Sequence, residues 1–162
     1  MKPTNALPIL VIFLFQACTS SKKTSSSKKE STTSQKDTYS NTFSSSQAKL
    51  LDDQTFQLDS ISIDETYGYS TSNPIHVGGT FKEGAVNQRR FLNALLGPDN
   101  ELIHYQRRGS CCAFATKNGM NGFGLLDIYE VTYDGLSKPI VLYLNFYDYG
   151  MLKAPKGFTY KK

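Results

Sequence analysis

The stretch "RRGSCCAF", residues 107–114, gathers Arg107, Arg108, Cys111 and Cys112 three positions after His104. Those residue types allow several chemistries. A thiol beside an imidazole can be a nucleophile, two thiols can hold a metal or join as a disulfide, and arginine forks suit phosphate or carboxylate groups. Each makes its own geometric demand. Adjacent Cα atoms lie only about 3.8 Å apart, so a bridge between neighbours needs a distorted turn, which the preceding Gly109-Ser110 can supply. In a regular strand the two thiols point to opposite faces and cannot meet. The expected role of Cys111 and Cys112 is therefore that of small apolar side chains, one or both buried. Adjacent cysteines do not have the C-x-x-C spacing that wraps one ion, and no metal site is expected. Thiol catalysis would use His104 from a paired strand, within about 5 Å, with Asp127 or Asp148 recruited as orienting group. No local signature supports that recruitment, so no catalytic residue is assigned. Cys111, Cys112, His104, Arg107 and Arg108 stand as functional candidates.

The other charged residues read more plainly. Arg89-Arg90 and Arg107-Arg108 are expected on a solvated or salt-bridged face, with Glu83, Asp99 and Glu101 as nearby partners. Asp127 and Glu130 would fall on opposite faces of a strand, which argues against an acid/base pair. The glycines of "NGMNGFG" (118–124) lack the G-K-[ST] ending of a phosphate loop and suit a tight turn between strands. No cofactor motif is present, and none is expected to be bound.

The elements that carry these residues can be read from pattern. "GAVNQRRFLNALLGPDN" spaces Val86, Phe91, Leu92 and Leu95 near helical period, which predicts a helix from about Ala85 to Leu96, stopped by Gly97-Pro98. "YGYSTSNPIHVGGTF" (67–81) reads as a loop, a short strand at Ile75–Val77 and a tight turn. Strands are expected at 101–108 and 111–116, joined as a hairpin through Gly109-Ser110, then at 125–133 and 138–148 around Asp134-Gly135. The expected class is α+β: a small antiparallel meander of about four to six strands with one principal helix on a face.

The first residues give an address. After Lys2, Ala6 to Ala17 is an apolar run of twelve residues ending just before Cys18, too short for the roughly 20 residues of a spanning helix. "FLFQAC" resembles a bacterial lipobox, with Phe15 where Leu or Val is usual and Gln16 where a small residue is usual. The resemblance implies a signal peptide over 1–17, acyl chains such as palmitate on Cys18, and stable membrane anchoring, for which two chains suffice. Residues 19–48 contain seventeen Ser or Thr in thirty and only two aromatics, Tyr39 and Phe43. Such a composition cannot bury enough apolar surface to offset its chain entropy. Residues 18–48 are thus expected to be a lipidated tether with a reach of roughly 30 Å, followed by a single domain over 49–162.

The charge balance follows this division. Of the formal net charge of +4, the tether contributes +3 through five lysines against Glu30 and Asp37, and Lys2 contributes the rest. From Lys49 onward basic and acidic residues are equal in number. The basic balance therefore belongs beside an anionic membrane surface and implies no nucleic-acid partner.

The blocks "YGYSTSNPIHVGG", "RRFLNALLGPDNELIHYQRRGSCCAF", "LLDIYEVTYDGLSKPIVLYLNFYD" and "LKAPKGFTYKK" resemble a group of small Bacteroidetes-type lipoproteins of unknown function. The resemblance covers nearly all of 67–159 and implies an envelope location and a compact β-rich domain, with no catalytic residues to transfer. Some members carry a 2-dehydro-3-deoxyphosphooctonate aldolase label. Enzymes of that kind resemble TIM barrels of about 250 residues, more than twice what this domain offers, and the label does not transfer.

The function expected is that of a lipid-anchored, non-catalytic binding or structural module. Its partner would be an envelope protein or glycan, met through the aromatic strand "LYLNFYDYG", in which Val141, Tyr143, Tyr147 and Tyr149 alternate with Leu142, Leu144 and Phe146. In many Bacteroidetes-type lipoproteins acidic residues just after the lipidated cysteine mark surface export, and "CTSSKK" has none, so the resemblance implies the periplasmic side of the outer membrane. The alternative is a small envelope enzyme or thiol redox protein using Cys111 or Cys112 with His104, and a third is an assembly subunit pairing through an edge strand.

Overall fold

The computed structural model describes residues 48–79 and 83–162, so the expected signal peptide, Cys18 and all of the expected tether except Ala48 lie outside the described residues. The class is α+β, as expected. In chain order the elements are β1 (Leu50–Asp52), β2 (Thr55–Phe56), β3 (Ile75–His76), α1 (Gly84–Ala94), β4 (Leu95–Leu96), β5 (His104–Met120), β6 (Phe123–Thr132), β7 (Ile140–Asn145) and β8 (Thr159–Tyr160). The principal sheet has the order β3-β7-β6-β5; β1-β2 and β4-β8 form two small ribbons.

The helix forms where the apolar period placed it. Gly84, Asn87, Gln88, Phe91, Leu92 and Ala94 are buried along one stripe, while Ala85 and Arg89 face outward. It ends two residues before the expected Leu96, because Leu95 turns to extended backbone and pairs with Tyr160 of β8. Gly84 permits a close approach to the sheet: a Cβ there would run into the Phe146 ring.

The strand pattern differs from the expectation in one consequential way. Residues 104–120 form one strand, and Gly109-Ser110 does not turn the chain. The hairpin lies instead at Asn121-Gly122, both at positive φ (54° and 82°), as a two-residue primed turn requires. Arg108 is the extra residue of a bulge that Gly109 (φ 146°) closes, since Arg107 pairs with Tyr129 and Gly109 with Ile128. Two further register shifts follow at Cys111/Ala113 and Ala115/Met120. The expected meander thus shortens to β5-β6-β7, and the sheet gains β3 running parallel to β7.

Leu142 and Leu144 of β7, Tyr129 and Val131 of β6, Ile75, Val77, Phe56, Leu58 and Phe158 close one core with Phe91 and Leu92 of the helix. Phe91, Leu92, Leu142 and Leu144 are fully buried, each contributing about 1.5–3 kcal/mol. The aromatic strand is largely consumed by this packing. Phe146 stacks on Tyr147, whose ring meets Phe114 edge-on, leaving Val141 and Tyr149 as its exposed apolar members. Of β6, only Asp127–Val131 pairs with β7, so the outer part of the β5-β6 hairpin is a two-stranded arm.

Candidate functional site

A cleft of about 510 Å³ opens between α1 and the β5-β6 hairpin, lined by Ala85, Gln88, Arg89, Tyr105, Arg107, Asp127 and Tyr129. Ala85, Gln88 and Arg89 come to it at positions i, i+3 and i+4 of one helix, which share a face. Tyr105 and Arg107 share the helix-facing side of β5, and Asp127 and Tyr129 that of β6.

The bulge at Arg108-Gly109 shapes the floor. In unbroken register Gly109 would lie opposite Asp127; the extra residue brings Ser110 there instead. Ser110 Oγ donates to Asp127 Oδ1 at 2.6 Å, Arg107 NH2 donates to the same oxygen at 2.7 Å, and Gln88 Nε2 donates to Oδ2 at 2.9 Å. Tyr129 OH completes the chain by donating to Gln88 Oε1 at 3.0 Å. Tyr105 OH donates to Asn93 Oδ1 at 2.8 Å, and the two tyrosine rings meet edge-to-face with centroids 6.1 Å apart.

The electrostatics divide the site into a buried anion and a presented cation. The Asp127 side chain is 6% exposed and that of Arg107 49%. Burial pushes the Asp127 carboxyl upward, but the hydrogen bonds from Arg107, Ser110 and Gln88 outweigh it and hold its pKa below the ordinary value. The bond to Asp127 raises Arg107 further, fixing its positive charge. Burial raises Tyr105 and Tyr129, and Arg89, which lines the same cleft, acts against the rise at both hydroxyls.

The five candidates separate. Arg107 belongs to the cleft. Arg108 points elsewhere and meets Glu130 at 3.5 Å in a half-exposed pair; neither arginine uses Glu83, Asp99 or Glu101. His104 begins β5, exposed, opposite Thr132 and seven residues from Cys111, roughly 23 Å along a strand. A Cys–His couple is therefore excluded by the continuity of β5.

Cys111 and Cys112 are joined as a disulfide across a Cα separation of 3.7 Å. The expectation of buried apolar thiols is overturned: Cys111 is half-buried and Cys112 exposed. The reason lies in the second bulge, where Cys111 pairs with Leu126, Ala113 with Leu125, and Cys112 is the extra residue at φ 58°. That left-handed residue breaks the alternation that would separate the side chains.

Asp148 has its own network at the other side of the sheet. Thr116 Oγ1 (2.7 Å), Asn118 Nδ2 (2.9 Å) and Asn145 Nδ2 (2.9 Å) all donate to its carboxylate. Asn145 Nδ2 also lies 3.1 Å from His76 Nδ1, which makes that nitrogen an acceptor. Among the described residues no group of three or more His, Cys, Asp or Glu is arranged to hold a metal ion.

No family model matches the chain, and neither a curated protein nor a solved structure matches it. In the sequence Arg89 and Arg107 stand out only as members of arginine pairs, and no local pattern assembles Gln88, Tyr105, Asp127 and Tyr129. One signal was present: in "LLDIYEV", Asp127 shares its strand face with Tyr129 and Val131, which makes it an acid on a core-facing stripe.

Proposed function

We propose that this chain is a lipid-anchored envelope protein of the Bacteroidetes-type lipoprotein group, held through Cys18 and its Ser/Thr/Lys tether on the periplasmic side of the outer membrane. Its folded domain is a non-catalytic binding module, and the cleft between α1 and the β5-β6 hairpin is the ligand seat. The observation that carries this reading is the fixed guanidinium of Arg107, anchored by a buried carboxylate and presented to a cleft that Arg89 shares.

The same geometry speaks against catalysis there. A general base needs a pKa near the working pH and reach to a substrate proton. Asp127 is depressed, buried and already accepts three hydrogen bonds. The test is a photoreactive residue in place of the outward-facing Ala85, activated in intact envelopes. A specific adduct at 85 that disappears with Arg107→Gln supports the cleft as seat. Adducts from the hairpin tip at Met120 but none at 85 would reject it.

A second reading, thiol redox chemistry, is favoured by one observation, the exposure of Cys112 on its bulge. It operates without His104. A double Cys111→Ser, Cys112→Ser variant with unaltered cellular function would remove it.

A further inference from the structure

We infer that the cleft recognises an acidic saccharide, a sugar ring bearing a carboxylate or phosphate, with the anion on Arg89 and Arg107 and the ring against Tyr105, which Tyr129 backs. The inference rests on the cleft being the binding seat.

The ligand class follows from which groups remain uncommitted. Both oxygens of Asp127 accept from protein donors, and both ends of the Gln88 amide are engaged. The hydroxyl protons of Tyr105 and Tyr129 go to Asn93 and Gln88. What the cleft still offers is guanidinium N–H: among the described residues only the NH2 nitrogen of Arg107 is taken up, by Asp127 and Ser110. A guanidinium has five donors, and those left call for an acceptor-rich anion.

The walls argue for a ring. The half-buried Tyr105 presents its ring to the cleft, and the buried Tyr129 backs it edge-to-face, a surface suited to the apolar face of a sugar. A peptide carboxy terminus would bring backbone N–H groups, and the cleft has no uncommitted carboxylate or amide oxygen to receive them. Sugar hydroxyls at an open cleft can instead remain solvated. The volume of about 510 Å³ falls within the usual range for small-ligand sites.

The experiment is calorimetric titration of the full chain in detergent with glucuronate, glucose 6-phosphate, glucose and inorganic phosphate, at two salt concentrations. Binding of one or both anionic sugars, weakened by salt and absent for glucose, is the expected result; which one binds distinguishes carboxylate from phosphate. Arg107→Gln and Arg89→Gln should each weaken it about tenfold or more, the loss of a charge-assisted hydrogen bond. Arg89 lies outside the Asp127 network, so Arg89→Gln tests the point even if Arg107→Gln folds poorly. Inorganic phosphate binding as tightly as the sugars would overturn the role of the ring. Glucose binding that Tyr105→Leu abolishes would overturn the ligand class while keeping the cleft as seat. Titrations in which no sugar binds would overturn the ligand class, and the adduct at position 85 would then decide the seat separately.

Discussion

Asp127 and Asp148 are built alike and do different things. Each carboxylate accepts three side-chain hydrogen bonds that overcome the upward push of burial and hold its pKa low. At Asp148 every donor is neutral: Thr116, Asn118 and the fully buried Asn145, whose Oδ1 in turn accepts the N–H groups of Tyr147 and Asp148. That network ties the outer arm of the hairpin to the end of β7 and, through His76, to β3. At Asp127 one donor is a guanidinium that keeps most of its N–H groups for a cleft. A clasp closes on itself, whereas a site leaves chemistry uncommitted.

The comparison can be broken most forcefully at Asp127. Asp127→Ala should lower stability by about 3 kcal/mol, because Gln88, Ser110 and Arg107 lose their common acceptor, and should also abolish ligand binding. Urea denaturation and titration on the same preparation check both effects. Asp148→Ala should cost less, about 1–2 kcal/mol, since no ion pair is broken, and should leave binding at the cleft unchanged. A loss of binding in Asp148→Ala would erase the distinction between the two networks.

Acid sharpens the same contrast. Both carboxylates have folded pKa values below their unfolded values. The stability they contribute is full above the unfolded value, about 3.9, and is lost as pH falls through the lower folded values. Denaturation midpoints should therefore drop steeply below about pH 4, and Asp148→Asn should flatten part of that drop. His76 adds a smaller term of the same sign at higher pH. Burial lowers its pKa, so its contribution is full above about 6.5 and declines as pH falls below that value.

The smallest effect belongs to the cysteines. A bridge between adjacent residues closes almost no loop, so reduction should change stability by less than about 1 kcal/mol. Alkylation of the folded protein should label neither cysteine before reduction and should label Cys112 readily after it. Labelling without reduction would restore the free thiols that the sequence alone suggested.

Much of the scaffold was legible because its signals are local. Helical period marked α1, Asp134-Gly135 marked the β6-β7 connection, and Ile75–Val77 marked β3. Gly109-Ser110 misled because a glycine before a polar residue serves a hairpin and a bulge equally well, and only pairing with β6 decides between them. The parallel β3-β7 pair, Ile75 with Leu144, joins residues 69 apart and leaves no local trace. The site was legible as residue types but not as a set. Arg107 was found by its side chain, whereas its partners Asp127 and Gln88 depend on register and on the face α1 turns to the sheet.

The most direct test of the cleft as seat is amide hydrogen exchange of the full chain, compared between intact envelopes and purified protein. The account predicts slower exchange in the envelope at Tyr105–Arg107 and Asp127–Tyr129, with no change at Thr116–Asn118 and Asn145–Asp148. Protection confined to the Asp148 side, with the cleft exchanging equally in both preparations, would contradict it.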